Sequence, residues 1–171
     1  MTTFYGSEAG ADAYHTERGN TAWSGTAAEK EAALLRASEY IDWAFLASWR
    51  EDRFGYRTAG RSQDREWPRT DAYVWTEWTW VVLPDNEVPI EVINATYEAA
   101  LLEIGTPGYF TPDYTPGKAV KRAAVSGAVS VEYWSDDQYP VVRKIGLVLS
   151  PLLTGQDGSG ANPLSGKVNL A

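Results

Sequence analysis

The chain has 171 residues, which suits one domain with an appended arm, and its apolar share of 44% with 13% aromatics excludes a disordered chain. Its formal net charge of -8 opposes a role in nucleic-acid binding, because phosphate neutralisation requires clustered Lys and Arg. No Cys occurs, which excludes disulfides and thiolate metal sites.

Two helices are predicted in the first part of the chain. Ser7 precedes an Ala-rich run with acids in its first turn, so its hydroxyl is predicted to cap a short helix that ends near Gly19. Thr26 and Glu29 have the spacing of a capping box, and the apolar residues behind them recur at helical intervals. This pattern predicts a second helix from about residue 27 to residue 46.

A long polar loop is predicted over residues 50–66, because its charged residues show no period and glycines interrupt it. Trp67, Pro68 and Arg69 follow this loop. The proline favours an extended conformation at Trp67, so that the indole ring can anchor the loop onto the helices while Arg69 reaches a carboxylate or backbone carbonyls. We interpret these three residues as a loop staple.

The Trp-rich segment 73–82 consists of β-prone residues that partly alternate, which predicts an extended segment or a small hairpin. Its tryptophans, Trp75, Trp78 and Trp80, are interpreted as interface residues, because aromatic side chains concentrated in a loop are typical of protein interfaces. Two alternatives stay open: packing in the core, and a stacking platform for single-stranded nucleic acid. For the second, the nearby cations would form a basic rim, namely Arg50, Arg53, Arg57, Arg61, Arg65 and Arg69.

The strongest helical pattern comes next. Pro89 suits the first turn of a periodic helix that Gly105 stops, and a Pro/Gly-rich connector occupies residues 106–117. This organisation predicts a helical bundle with a Trp-rich insertion over 1–117. Residues 118–171 would then be part of the same domain or an appended arm.

The C-terminal part is predicted to hold strands at 120–123 and 129–134 that form a hairpin, a short helix or extended closing segment within 140–153, and a flexible Gly-rich tail. Further interface residues are expected here, namely Val131, Tyr133, Trp134, Leu152 and Leu153. The predicted fold class is therefore mainly α: a small helical bundle with long loops, a C-terminal β-hairpin and extended arms.

The chain contains few of the residue types that usually perform catalysis. His15 is the only histidine, and no Cys or second His stands beside it to form a nucleophilic pair or a metal site. The adjacent acids Glu51 with Asp52, and Asp136 with Asp137, lie in polar segments where carboxylates are usually solvated. We therefore predict no catalytic, cofactor-binding or metal-binding residue, and no enzyme activity.

Several short motifs carry a family resemblance through their order and spacing. In chain order they are Tyr5-Gly6-Ser7, Tyr40-Ile41-Asp42, Gly60-Arg61, Trp67-Pro68-Arg69-Thr70, the segment from Pro84 to Pro89, and the helix from Asn94 to Leu101. Over most of its length the chain resembles the head–tail adaptor proteins of tailed phages. Members of that family also carry the label DnaT-like single-stranded DNA binding.

The resemblance implies a helical bundle with extended arms that assembles as a homo-oligomeric, commonly dodecameric, ring in the neck of the virion. Its neighbours would be the portal protein and a tail-side connector or stopper protein, and double-stranded DNA would pass through the ring without sequence-specific binding. It implies no cofactor and no membrane, and assembly in the host cytoplasm. The alternative function is that of a single-stranded-DNA-binding accessory protein, which the Trp residues and the loop arginines favour.

Overall fold

A computed structural model of the protein describes residues 4–76, 78–111, 120–125, 129–133 and 142–153. In chain order its helices and strands are α1 (Glu8–Glu17), α2 (Ala27–Ala44), α3 (Leu46–Trp49), β1 (Tyr56–Arg57), β2 (Arg69–Thr70), β3 (Tyr73–Thr76), β4 (Thr79–Val82), α4 (Ile90–Gly105), β5 (Val120–Val125), β6 (Val129–Tyr133) and α5 (Arg143–Leu153). Two short 3-10 turns, Asp52–Phe54 and Gly60–Ser62, flank β1. None of the described helices combines the length and the apolar character needed to cross a bilayer.

The helix starts follow the predicted capping chemistry. The Ser7 hydroxyl accepts a hydrogen bond from the Gly10 amide at the start of α1. At the start of α2, the Thr26 hydroxyl accepts from the Glu29 amide while the Glu29 carboxylate accepts from the Thr26 amide. The capping box is therefore confirmed, and it satisfies two amides that would otherwise lack partners.

The core is formed mainly by α2 and α4, with α5 packed against the other side of α4. Leu34 and Ile41 on α2 are fully buried, as the predicted apolar stripe requires. The segment that was predicted as either a helix or an extended piece is the helix α5, and its Ile145 and Leu149 are buried in the same core. Residues beyond the Pro/Gly-rich connector thus contribute to the packing of the helices.

The predicted fold class is wrong in its account of the β structure. Two small antiparallel sheets, β1–β2 and β3–β4, lie between α3 and α4. The strands β1 and β2 lie in and beside the segment predicted as a long polar loop, whereas β3–β4 is the small hairpin that was one of the two alternatives for residues 73–82. A third strand pair, β5–β6, lies in the C-terminal part at the predicted position. The polar loop contains strands because backbone pairing does not require apolar side chains: Arg57 lies opposite Arg69 in β1–β2.

The loop that contains Trp67 is held in place from two directions. The Trp67 ring is buried and makes edge contacts with the rings of Trp49 and Phe54, at centroid distances of 5.7 Å and 5.8 Å. Arg69 is also buried, and its guanidinium donates to the carbonyls of Phe54 and Gly55 at 2.7 Å and 2.8 Å. The same guanidinium contacts the Glu66 carboxylate at 2.9 Å. These contacts of Trp67 and Arg69 hold the loop against α3 and the Asp52–Phe54 turn.

Gly55 is required by the backbone geometry of that loop. Its φ of 53° lies in the left-handed region, and a Cβ placed on it would come within 2.0 Å of the Thr70 carbonyl oxygen. Only glycine allows such close approach of two backbone segments. The turn after Asp52–Phe54 therefore needs glycine at position 55 so that β1 can pair with β2.

Candidate functional site

The β3–β4 hairpin presents an aromatic face to the outside. Its strands pair Tyr73 with Val82 and Trp75 with Trp80. Because residues alternate between faces along a strand and cross-strand partners share a face, these four side chains lie on one side of the hairpin. The Trp75 and Trp80 rings make an edge contact at 5.3 Å. We call these four residues the aromatic face.

The other side of the hairpin attaches it to the protein. Val74 packs against the core, and the Leu83 amide just after β4 donates to the Ala72 carbonyl just before β3 at 2.8 Å. On the aromatic face Trp80 is 44% exposed and Val82 is 61% exposed, and on the opposite face Val81, the partner of Val74, is 41% exposed. The hairpin is thus held to the core at Val74 and leaves large apolar side chains exposed, most of them on the aromatic face.

Trp78 extends this surface at the tip of the hairpin. It lies between the paired strand ends Thr76 and Thr79, has a φ of 76°, and is 91% exposed. A bulky residue with a left-handed backbone is uncommon and strained, and an exposed indole gains nothing from burial within the subunit. We therefore expect Trp78 to contact a partner molecule rather than to stabilise the fold of the subunit.

The predicted interface residues fall into three groups. Trp75, Trp78 and Trp80 lie on the β3–β4 hairpin as described. Leu152 and Leu153 do not form a surface, because both are buried in the core at the end of α5, and their assignment to an interface is corrected accordingly. Val131 and Tyr133 lie on β6, while Trp134 is outside the described residues.

The loop arginines do not form the basic rim that a nucleic-acid platform needs. Arg65 contacts Glu39 and Asp42, at 3.6 Å and 3.5 Å, and Arg69 is buried as described. Two further guanidinium groups are held by internal acceptors, Arg53 by Glu51 and the Leu153 carbonyl, and Arg57 by the Gln63 carbonyl. Of the six, Arg50 and Arg61 are exposed. Most of this positive charge is therefore used to hold the loop together.

Along the chain, the hairpin is flanked by acids and by no nearby cation. The sequence has no Lys or Arg between Arg69 and Lys118. Asp71 precedes β3, and Asp85 and Glu87 follow β4, and all three are exposed. The segments that enter and leave the hairpin therefore carry negative charge.

The buried ionisable groups away from the hairpin have structural partners. His15 contacts the Tyr97 carbonyl at 3.1 Å and Asn20 at 3.0 Å, and burial lowers the pKa of its imidazole. Glu98 on α4 accepts from Tyr14 of α1 at 2.9 Å and from Lys144 of α5 at 2.7 Å. Within the described residues no group of His, Asp and Glu has the arrangement of a metal site. These side chains connect helices to one another.

A further buried cluster joins the N-terminal segment to α2 and to the Trp67 loop. The Tyr5 hydroxyl donates to the Asp42 carboxylate, and it accepts from the Trp67 amide at 3.1 Å. The Glu66 amide also donates to Asp42, at 3.3 Å. Burial is the largest cause of a rise in the pKa of Asp42 to about 6, partly offset by the Tyr5 hydrogen bond, the Glu66 amide and Arg65. Sequence reasoning missed this cluster, because its members are far apart in the chain.

This pKa shift predicts a measurable dependence of stability on pH. The folded-state pKa of Asp42 lies above its ordinary value of 3.8, so the folded protein holds the proton more tightly than the unfolded chain. The contribution of Asp42 to the free energy of unfolding should therefore rise by about 2 kcal/mol as the pH falls from 7 to 4.5. Urea unfolding of the wild type and of Asp42→Asn at both pH values measures it. If the difference in free energy of unfolding between the two proteins is the same at pH 7 and at pH 4.5, the raised pKa of Asp42 is contradicted.

Comparison with models of protein families assigns the chain to a family. The model of a family described as "Putative DnaT-like ssDNA binding protein" matches residues 4–166, which is nearly the whole chain. No curated protein and no solved structure matches this chain. The chain belongs to this family. The match covers both the helical core and the β3–β4 hairpin.

Proposed function

We propose that this family member is a non-enzymatic assembly subunit whose aromatic face binds a partner protein, and that it acts as a head–tail adaptor in a tailed phage. The observation that carries the proposal is the exposed aromatic face, together with Trp78, on a hairpin without any Lys or Arg. Aromatic side chains are enriched in the cores of protein interfaces and often supply most of the binding energy there.

The subunit leaves several large apolar side chains of the hairpin exposed. Trp78, Trp80 and Val82 are adjacent large apolar side chains whose burial would each contribute roughly 1.5–3 kcal/mol. Trp78 and Val82 realise little of this energy within the subunit, because they are 91% and 61% exposed, and Trp80 realises it only in part. A contiguous surface of this kind favours a permanent contact with another protein.

The assignment to a head–tail adaptor is the finer part of the proposal, and it rests on the sequence resemblance. The partners would be further copies of the chain in a ring, the portal protein, and a tail-side connector or stopper protein, with the virion neck as the location. A formal net charge of -8 suits a ring through which double-stranded DNA moves, because a wall of like charge does not retain the polyanion.

Single-stranded DNA binding is the second candidate function, and it is the one that the family match favours. The exposed Trp78 and Trp80 support it, because bases stack on aromatic rings with little sequence preference. The charge distribution opposes it. Stacking platforms act together with a positive groove that follows the phosphates, and here four of the six loop arginines have internal partners while the hairpin is flanked by acids along the chain.

The two functions predict opposite results in a binding experiment. We expect a fluorescein-labelled oligothymidine of about 20 nucleotides to bind weakly at 150 mM NaCl, with a dissociation constant above about 10 µM, because little counterion release is available. Fluorescence anisotropy measures this constant. Sub-micromolar affinity that is lost in Trp78→Ala would reject the adaptor and establish the DNA-binding function.

The adaptor function is tested with the portal protein of the phage that encodes this chain. Trp80→Ser with Val82→Ser should abolish co-sedimentation with the portal, while Leu147→Ser, a control at an exposed position on α5, should not. Thermal unfolding should be nearly the same for all three proteins. Full binding by the double variant would show that the aromatic face is not the interface.

A further inference from the structure

We propose that the outer edge of β4 is a strand-addition site, at which an extended apolar segment of another protein, followed by Lys or Arg, pairs with the backbone of Trp80 and Val82. This inference rests on the proposed function and specifies how the partner binds and which kind of segment it contributes. Three features support it, namely an exposed strand, outward backbone groups without partners, and carboxylates beyond the end of the strand.

β4 is the exposed strand of the hairpin. All four of its residues, Thr79–Val82, are exposed, whereas β3 packs against α5 and the Asp52–Phe54 turn. β4 is short, but it contains no charged residue and no proline, and its register with β3 has no break. Charged residues, prolines and bulges are the devices that usually keep other strands from joining an open edge. The edge of β4 is therefore free to accept a strand.

The register of the hairpin decides which backbone groups point outward. The Leu83 amide donates to the Ala72 carbonyl at 2.8 Å, so these two residues form a hydrogen-bonded pair. Such pairs recur at every second residue of an antiparallel ladder, so Val81 belongs to the next one. Trp80 and Val82 lie in the pairs between, and their amides and carbonyls therefore face away from β3. Among the described residues no hydrogen bond uses these outward groups.

A strand that joins this edge also covers part of the aromatic face. The side chains of Trp80 and Val82 lie on that face, and the residues opposite them in the added strand share it. Apolar residues at every second position of the partner segment would bury these two exposed side chains. Pro84 has no N–H and ends the edge two residues after Val82. The site therefore accepts a short segment with alternating apolar residues, a common form of strand addition.

The acids beyond β4 favour a basic partner. Asp85 and Glu87 are exposed and follow Val82 by three and five residues. A chain spans at most about 3.6 Å per residue, so the backbone of Asp85 lies within roughly 11 Å of that of Val82. This distance is close to the Debye length of about 8 Å at physiological salt. A Lys or Arg that follows the apolar run of the partner segment is therefore attracted.

Another protein is favoured over a second copy as the occupant of this edge. The sequence has no Lys or Arg between Arg69 and Lys118, so the β4 edge of a second copy brings no cation to pair with Asp85 and Glu87. Pairing two copies of this edge would instead bring acidic segments near one another. We therefore expect the occupant to be a basic segment of a different protein.

Hydrogen exchange measured by NMR tests the backbone pairing. The probe is the best binder selected on the wild-type protein from a random library of peptides of about 12 residues, enough to span the edge and its flanks. We expect alternating apolar residues followed by Lys or Arg in its sequence. In the free protein the amides of Trp80 and Val82 should exchange quickly and that of Val81 slowly, because only Val81 pairs with β3. The bound peptide should slow the exchange of Trp80 and Val82 by at least about tenfold.

Either of two results overturns the inference. One is a library that yields no peptide of this pattern. The other is a bound peptide that leaves the amides of Trp80 and Val82 unprotected, because the peptide then contacts side chains or another surface.

Two substitutions at one position separate the backbone from the side chain. Val82→Pro removes an outward amide and no bond to β3, and it should weaken peptide binding by at least about tenfold, because a carbonyl of the added strand loses its donor. Val82→Thr also reduces the apolar side chain but keeps the amide, so it should lose several-fold less affinity. The exciton band of the Trp75–Trp80 contact in far-UV circular dichroism shows whether the hairpin is intact.

Equal losses in the two variants would overturn the strand addition, because the peptide would then bind through side chains alone. If the exciton band disappears in Val82→Pro, the hairpin has opened in that variant. The exchange measurement on the wild-type protein then decides.

The failure of this inference differs from the failure of the proposed function. If Val82→Pro binds the portal as the wild type does while Trp80→Ser with Val82→Ser does not, the proposed function holds and the strand addition is rejected. If the double serine variant still binds the portal, the proposed function fails, and the peptide experiment alone decides on the edge. Wild-type dimers that dissociate on Val82→Pro would show that a second copy occupies the edge, which overturns the choice of another protein.

Discussion

Replacing Trp67 by Ala should lower the free energy of unfolding by about 3–5 kcal/mol, the range for truncating a fully buried large aromatic side chain. The ring lies between Trp49 and Phe54 in an arrangement of three edge contacts, so its loss leaves a cavity beneath the loop. Urea unfolding monitored by far-UV circular dichroism measures the change.

Two other variants make this result specific. Trp78→Ala removes the same side chain from an exposed position, and we expect it to change the free energy of unfolding by less than about 0.5 kcal/mol. Trp67→Phe should cost less than Trp67→Ala, because it keeps most of the ring and removes an indole N–H that has no acceptor among the described residues. Equal losses for Trp67→Ala and Trp78→Ala would mean that the hairpin tip belongs to the core.

Gly55→Ala should be the second most damaging single substitution, with a loss of roughly 3 kcal/mol or more. Part of this loss is the strain of an L-residue at φ 53°, and the larger part is the overlap of the new methyl group with the Thr70 carbonyl. Because that oxygen belongs to the backbone, β2 would have to move away from the turn. Thermal unfolding and the near-UV signal of Trp67 should both report this change.

Gly60→Ala provides the matched control. Gly60 has a similar φ of 58°, but no atom lies within 4 Å of the position that its Cβ would occupy. It should therefore show only the backbone strain, about 1–2 kcal/mol. If both substitutions have the same effect, the close approach between Gly55 and Thr70 does not contribute to the stability of the folded protein.

The sequence predicted the helices well because their signals are local. The caps at Ser7 and Thr26 and the periodic run ended by Gly105 act over a few residues, so composition and spacing are sufficient to find them. The sheets depend on contacts between segments. The pairing of Arg57 with Arg69 leaves no apolar pattern in the sequence, and the polar segment was for that reason predicted as a loop.

The candidate site was predicted in part for the same reason. An abundance of tryptophan marked the segment 73–82 as a contact surface, but the alternation of residues alone did not show that Tyr73 and Val82 share a face with Trp80, since this needs the register of the hairpin. Leu152 and Leu153 are expected at an interface only if residues 118–171 form an appended arm, which is one of the two alternatives that the sequence leaves open. As the helix α5, their segment directs both side chains into the core.

The cluster around Asp42 makes distant parts of the chain open and close together. The Tyr5 hydroxyl bridges Asp42 on α2 and the amide of Trp67, and the Tyr5 amide is itself bound to Ser38 at 2.9 Å. Detachment of the N-terminal segment would therefore remove one hydrogen-bond donor from the buried Asp42 carboxylate and the acceptor of the buried Trp67 amide. Because that penalty is shared, we expect local unfolding of the N-terminus and of the Trp67 loop to form one cooperative unit, although α1, α2 and α3 separate the two along the chain.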